Sequence, residues 1–366
     1  MLEELQVSNL RNIQNAKLFP SPSLNVLLGE NGSGKSSLLE SVHILSTGRS
    51  FRTVDLKNLL QFEKQHFLVR GKVKSQLREW EGNLGVNVGF MFSDKKERLA
   101  KIEGEKIKNS SDLARLLPMK FLSPLEGNLI EGAPSLRRRF LDWLMFHVEP
   151  DYLPQQKQFK SVLSNRNATL RKKDRGQEPY WRSQLIESSV RLSEMAEHNF
   201  EQFKIYVEDE VSDSLNGFDF HFELYRGWRK DTELSDLFSK AIDNEFKFGS
   251  SRYGFQRADL KITVDGKPSS LVLSRGQMKI LALALHIAQI KFLKLERKSN
   301  CVVLIDDIIA ELDDQNICTM IDKIIETGNQ CFVTSANVKL AELLKKNFSK
   351  SYKLFHVEHG TIKEEE

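Results

Sequence analysis

Gly29-Glu30-Asn31-Gly32-Ser33-Gly34-Lys35-Ser36 satisfies every fixed position of the pattern GxxxxGK[ST], and its flanks supply the strand-loop-helix context that the pattern needs. Leu24 to Leu28 precede it as a mostly apolar run, and Ser37 to Leu45 follow as a helix with Leu38, Leu39, Val42 and Leu45 on one side. The spacing has a physical reason. Glycines let backbone N–H groups converge on phosphate oxygens, and the helix N-terminus adds positive potential. Lys35 is then placed to reach the β- and γ-phosphates, which makes it a binding and a catalytic candidate, and Ser36 to ligate magnesium. Gly29, Glu30, Asn31, Gly32, Ser33, Gly34, Lys35, Ser36 and Ser37 form the candidate nucleotide site.

A site of this kind needs a carboxylate at the end of a neighbouring strand. Cys301-Val302-Val303-Leu304-Ile305-Asp306-Asp307 supplies five apolar residues and then two acids. Asp306 is the candidate metal ligand. Asp307 is the candidate for orienting or deprotonating an attacking water, because successive strand-end residues point differently. Alone, such a pair reads equally well as a strand cap; the phosphate loop gives it a task. Lys35 and Asp306 stand 271 positions apart, so a large insertion divides the nucleotide-binding fold.

Just before the acidic strand, Leu273-Ser274-Arg275-Gly276-Gln277 opens a helix running through Lys279, Ile280, Leu283, Ala284, Ile287 and Ala288. Ser274 can cap it, and the free N–H groups beside its hydroxyl form an anion contact.

Outside these motifs, the chain reads as an ordinary folded protein. Its 366 residues suffice for one large or two modest domains, and 40% hydrophobic with 28% charged residues excludes collagen-like, low-complexity and disordered classes. A net charge of +4 permits a polyanionic partner without demanding one. Three late cysteines, Cys301, Cys318 and Cys331, lack CxxC or metal-ligand spacing, which argues for a reducing cytoplasmic setting without disulfides. Acid at the N-terminus and the lack of a long apolar run predict neither export nor membrane insertion.

The first hundred residues read as strands, among them Phe67 to Val73 and the alternation Leu84, Val86, Val88, Phe90. From about Ser135 to Val207 the period shifts to 3.6. The stripe Leu185, Leu192, Ala196, Phe203, Val207, with polar Ser189 and Asn199 in its gaps, predicts a helix from Trp181 to about Val207. Such a helix is ~40 Å long and either packs on neighbours or projects. Leu260 to Val264 followed by Asp265-Gly266 predicts a hairpin. The last hundred residues alternate helix and apolar strand as a parallel α/β sheet does, with Glu364 to Glu366 as a solvated tail.

The phosphate loop, the Leu-Ser-Arg-Gly-Gln stretch whose serine lies 32 positions before Asp306, and Ala310-Glu311-Leu312-Asp313 together resemble the ABC-type ATPases of chromosome maintenance. Within that group the chain is similar, over nearly its whole length, to the RecF family of bacterial recombination mediators. The stretches carrying this are Leu10-Arg11-Asn12, Gly48-Arg49-Ser50-Phe51-Arg52, Pro134 with Arg137-Arg138-Arg139-Phe140-Leu141-Asp142, and Arg257-Ala258-Asp259-Leu260.

The resemblance implies an α/β fold, an ABC-type P-loop ATPase head combining a mixed β-sheet lobe with a parallel α/β core, and an inserted helical second lobe. Residues 1–118 and 250–366 would form the head and residues 119–249 the helical arm. It implies a homodimer closing around two ATP molecules with Mg2+. Arg11 and Asn12 would join the nucleotide-contacting set, and Ser274 and Gln277 of one protomer would meet the γ-phosphate held by Lys35 and Ser36 of the other, with Asp313 near that interface. It further implies slow, DNA-stimulated hydrolysis of ATP to ADP and phosphate, and binding of double-stranded DNA near single-strand gaps. Partnership with RecO and RecR, loading of RecA, and roles in DNA repair, replication, recombination and the SOS response complete what it implies.

Three departures stand out. Phe121-Leu122-Ser123-Pro124 is followed by Leu125, which puts Glu126 one place late; Gly254-Phe255-Gln256-Arg257 stands where Gly-Pro-His and a basic residue are common; and no histidine of the kind transporter ATPases use follows Phe332-Val333-Thr334-Ser335, as is common in this family, while Asp307 replaces the glutamate of many relatives. They leave the roles of Glu126 and Gln256 open and point to slow turnover, since a shorter acid is a poorer water positioner. Arg137, Arg138 and Arg139, the run Arg166, Arg171, Lys172, Lys173, Arg175, and Arg226, Arg229 and Lys230 beside Trp228 are candidate DNA phosphate contacts. Pairing of Arg138 or Arg139 with Asp142, or plain solvation, competes with that reading. Two other classes share these loops: a nucleotide-gated scaffold without useful hydrolysis, and a transporter ATPase subunit, the latter opposed by the inserted lobe.

Overall fold

The computed structural model describes residues 1–75, 85–122, 128–307, 314–348 and 352–365. Its first stretch is strand-rich: β1 (Leu2–Leu10), β2 (Ile13–Leu18), β3 (Leu24–Leu28), helix α1 (Lys35–Thr47), β4 (His66–Val73), β5 (Val86–Ser93), β6 (Arg98–Ile102), β7 (Glu105–Lys106), α2 (Ser110–Leu116) and β8 (Met119–Leu122). Helices then dominate: α3 (Asn128–Glu131), α4 (Pro134–Val148), α5 (Tyr152–Arg171), α6 (Glu178–Ser214), β9 (Phe220–Tyr225), α7 (Leu234–Phe248), β10 (Asp259–Val264), β11 (Lys267–Pro268), α8 (Ser269–Val272) and α9 (Arg275–Arg297). The chain closes with β12 (Val302–Ile305), α10 (Asp314–Glu326), β13 (Gln330–Ser335), α11 (Val338–Phe348), β14 (Tyr352–Glu358) and β15 (Thr361–Glu365).

Two compact units result, Met1–Glu126 with Leu293–Glu366, and Gly127–Phe292. The sequence reading ended the inserted lobe at 249. The compact unit runs on to Phe292, and one reason is that β10 pairs antiparallel with β9 along its full length, from Asp259 opposite Tyr225 to Val264 opposite Phe220.

The first unit holds two six-stranded sheets. One, in the order β2-β1-β4-β5-β6-β7, is antiparallel throughout. Phe67, Val69 and Val73 on β4 and Val86, Val88, Phe90 and Phe92 on β5 alternate into the core, the signature of a sheet buried on one face. The other runs β15-β14-β3-β13-β12-β8, parallel except for the β14–β15 pairing. Its inner strands β3, β12 and β13 are buried at every residue, as a sheet covered on both faces requires. Gln330 ties the chain ends together: its amide nitrogen donates to Leu2 O (2.9 Å) and Ser21 O (2.8 Å), and its oxygen accepts from Leu2 N (2.8 Å). Glu364, expected in a solvated tail, instead sits in β15 and pairs with Lys353 at 2.8 Å; Glu366 lies outside the described residues.

In the second unit α6 runs for 37 residues, ten beyond the predicted span of 27, because Glu178 at its start and Val211 near its end are both buried. The predicted stripe is buried and packs on α5, α4 and α7. Of its polar members, Asn199 donates through Nδ2 to Met195 O (2.9 Å), while Asn199 Oδ1 and Ser189 Oγ are buried without a hydrogen-bond partner among the described residues. The Asp265-Gly266 turn joins β10 to β11 with positive φ at both residues, 50° and 74°. Cys301, Cys318 and Cys331 form no disulfide among the described residues, and burial pushes the Cys301 thiol up to about 12. No described helix is long and apolar enough to cross a membrane.

Candidate nucleotide site

The strand order explains how residues 271 positions apart meet. β13 lies between β3 and β12, so the loop leaving β3, the hydroxyl at the end of β13 and the acids at the end of β12 share one edge of the parallel sheet, where α/β folds place ligands. Ser36 Oγ donates to Asp306 Oδ1 at 3.0 Å, and Thr334 Oγ1 donates to the same oxygen at 2.7 Å. Thr334 Oγ1 also accepts from Asp307 N at 2.9 Å. Asp307 is exposed and its φ of 47° lies in the left-handed region, a conformation that a non-glycine residue holds only when its surroundings fix it.

The loop is tight where it meets the protein and open where a ligand would lie. A Cβ on Gly29 would sit 2.2 Å from Val357 O, and Gly34 has φ 123° with Asn12 against it, whereas Gly32, at φ 81°, has no described atom within 4 Å of an added Cβ. Lys35 Nζ donates to Gly29 O (2.7 Å) and Glu30 O (2.9 Å). Burial pushes its ammonium pKa down, while Asp307 and Asp306 act in the opposite direction. Ser33 Oγ is buried with no hydrogen-bond partner among the described residues, a polar atom waiting for one in the middle of an anion loop. These features fit a bound polyphosphate. Ser36 and Asp306 offer the hard oxygen pair that magnesium takes alongside phosphate oxygens.

Asn12 and Arg11, read from sequence as nucleotide contacts, take different places. Asn12 Nδ2 donates to Ser33 O (2.9 Å) and Gly32 O (3.2 Å), and its Oδ1 accepts from Ser37 Oγ (3.1 Å). It therefore props the loop from behind. Arg11 turns its guanidinium to Glu40, with Nη2 3.2 Å from Oε1. Glu40 is fully buried on α1 and also accepts from Ser50 Oγ, whose oxygen in turn accepts from Arg52 N and Thr53 N, each at 2.9 Å. Thr334 and Glu40 were missed by sequence reasoning. A hydroxyl closing an otherwise apolar strand was the available signal for Thr334; nothing local marks Glu40.

In the other unit Ser274 and Gln277 form a reciprocal helix cap. Gln277 N donates to Ser274 Oγ (3.3 Å) and Ser274 N to Gln277 Oε1 (2.9 Å), with Ser274 exposed and Gln277 half-buried. Glu126 and Asp313 lie outside the described residues. Gln256 donates to Tyr253 O at 2.7 Å.

The cationic candidates separate sharply. Arg166 cannot touch DNA: its side chain is 0% exposed and bonds Glu178 (2.7 Å), Glu245 (2.6 Å) and Ser251 (2.7 Å). Arg137 grips both carboxylate oxygens of Asp259 (2.8 and 3.0 Å) and the carbonyl of Gly132 (2.9 Å). Arg138 donates to Ala258 O (3.1 Å) rather than to Asp142, which accepts the Tyr152 hydroxyl. Arg226 stacks on Trp228 at 4.6 Å. Arg139, Arg171, Lys172 and Lys173 are exposed.

Comparison with known proteins agrees with this geometry. Residues 1–363 match the family model described as the RecF/RecN/SMC N terminal domain. The DNA replication and repair protein RecF of Pseudoalteromonas atlantica is 35% identical over 368 residues, covering 100% of this chain and 99% of that protein. That of Pseudomonas paraeruginosa is 33% identical over 365 residues, covering 99% and 97%. Among solved structures, the recombination mediator protein RecF with ATP superposes with a TM-score of 0.86 at 26% identity, over 100% of this chain and 97% of the other. An Smc head bound to the C-winged helix domain of ScpA reaches 0.60 at 15% identity, covering 100% and 96%, a likeness of fold alone.

Proposed function

This chain belongs to the RecF family, and from that premise we propose that it is an ATP-binding DNA replication and repair protein acting as a recombination mediator. The observation that carries the reading is the convergence of Ser36, Asp306 and Thr334 beside a loop whose Lys35 is already drawn inward. Bound Mg2+ would supply charge neutralisation at the phosphates. Ser36 and Asp306 would hold the ion, with Thr334 fixing the carboxylate orientation. Lys35 would exchange its loop carbonyls for phosphate oxygens, and the N–H groups of residues 32 to 36 would point at the same anion. Asp307, its backbone anchored to Thr334, would orient and accept a proton from the attacking water.

The finer steps of the proposal concern two copies. Ser274 and Gln277 of one protomer would leave their mutual cap to meet the γ-phosphate on the other. Because the triphosphate would bind the closed pair better than the open chains, linkage couples ATP to dimerisation, and hydrolysis, stimulated weakly by DNA, would release it. The dimer would hold duplex DNA beside single-strand gaps through exposed cations such as Arg171, Lys172 and Lys173, work with RecO and RecR, and assist the loading of RecA.

Light-scattering mass tests the core of this reading. The expected result is a dimer with ATP, a monomer with ADP, and a monomer under both conditions for Ser274→Arg; a dimer that ignores the nucleotide would overturn it.

A further inference from the structure

We propose that the half-open cavity lined by α4, α5, α6, β9 and the short turn Phe255–Arg257 is a binding site for a small anionic amphiphile, an apolar body carrying one carboxylate. The cavity measures about 340 Å3 and lies wholly within the second unit. It shares no residue with the loop site, so it stands or falls apart from the nucleotide reading.

A largely apolar pocket of this size falls within the range that small-molecule sites occupy. Leu144, Met145, Phe159, Leu163, Phe200 and Leu224 line it. These walls are apolar, and among the lining residues Gln256 Oε1 is buried without a described hydrogen-bond partner.

The polar groups at the cavity decide the charge of the guest. Asp142 is committed to the Tyr152 hydroxyl, which also accepts from Gln156 Nε2 at 3.3 Å. The Arg138 guanidinium donates to Ala258 O at 3.1 Å, and Gln256 turns its amide nitrogen to Tyr253 O at 2.7 Å. Two further lining cations, Arg139 and Lys160, are exposed. Apolar walls with two exposed cations at the rim complement a ligand whose greasy part is buried while a single acid stays near solvent. A nucleotide or free phosphate would leave the apolar walls uncovered, and a neutral hydrocarbon would make no use of the cations.

Isothermal titration of the full chain with monomeric decanoate and with 2-naphthoate tests the assignment. The expected result is saturable one-to-one binding of both, with decanamide at least about tenfold weaker because it lacks the charge. Leu163→Trp fills the space and should abolish binding while leaving ATP affinity unchanged, which shows that the variant folds. Should that variant fail to fold, the surface pair Arg139→Glu with Lys160→Glu should weaken decanoate by about tenfold or more and leave decanamide alone. No saturable heat, or decanoate binding that survives both sets of changes, overturns the proposal. So does binding confined to phosphatidylglycerol vesicles, which would make the site a membrane contact.

Discussion

In the helical unit Arg166 is enclosed by Glu178, Glu245 and Ser251, with the guanidinium 4.4 Å from the centre of the Phe238 ring. At the sheet edge of the other unit, Asp306 is only half-buried and Asp307 is exposed, although Ser36 and Thr334 hold the first as firmly as any structural group. Both clusters combine charge with hydroxyl groups, which accept from the arginine in the first and donate to the acid in the second. They differ in which face is left over: the arginine is surrounded by the protein, whereas the acids are oriented by it and remain open toward the loop. A charge fixed on one side and open on the other is what a ligand site needs, while a charge enclosed on all sides serves the fold. The Arg166 cluster joins α5, the first turn of α6 and the last turn of α7, and so fixes the ends of three helices.

Arg166→Met gives the comparison its severest trial. It leaves buried Glu245 without its cation and Glu178 with only the longer Arg182 contact at 3.7 Å, and the expected loss is about 3–5 kcal/mol of unfolding free energy, read from urea denaturation. Adding Glu178→Gln and Glu245→Gln should restore a large part, since neutral amides remove the uncompensated charge. An unchanged urea midpoint in the single variant would mean that the enclosed cluster is no more structural than the open one.

Asp307→Asn probes the other side. Under the proposed role it removes the acid that orients water, and ATP hydrolysis should fall about 100-fold, equivalent to about 2.7 kcal/mol in the barrier. Unfolding free energy should stay within roughly 0.5 kcal/mol, because the exposed carboxylate supports no packing and the Thr334 contact uses the backbone N–H. Hydrolysis at the original rate would remove Asp307 from the chemistry and leave the nucleotide as a gate alone.

This contrast also marks how far the sequence could be read. The loop, its flanking strand and helix, and the acids of β12 were legible because local spacing specifies them. So were the α6 stripe and the turn after β10, which follow from short-range periodicity and turn chemistry. What stayed hidden depends on partners far apart in the chain. Arg137 and Asp259 are 122 positions apart, Arg11 and Glu40 are 29, and Thr334 reaches Asp306 only because β13 is threaded between β3 and β12. Arg166 looked like its exposed neighbours Arg171 and Lys172, since charge alone carries no record of burial. Glu364 misled in the same way: an acidic end reads as a solvated tail until a strand partner is found for it.

The smallest expected effect sharpens the comparison most economically, because it keeps an arginine–carboxylate pair and changes chiefly the exposure. Arg175 pairs with Asp243 at 3.1 Å, the same ion-pair chemistry as Arg166 with Glu245, but the two side chains are 69% and 83% exposed. Water already solvates both charges, and holding two mobile side chains together costs entropy that offsets the attraction. Arg175 also lies over the Phe246 ring at 4.7 Å, a contact that an exposed site keeps weak. Arg175→Ala should therefore lower the unfolding free energy by no more than about 0.5–1 kcal/mol, and added salt should shrink the difference. A loss approaching that of Arg166→Met would mean that burial is not what separates the two arginines, and the distinction between enclosed and open charge would fail in the unit where it is drawn most sharply.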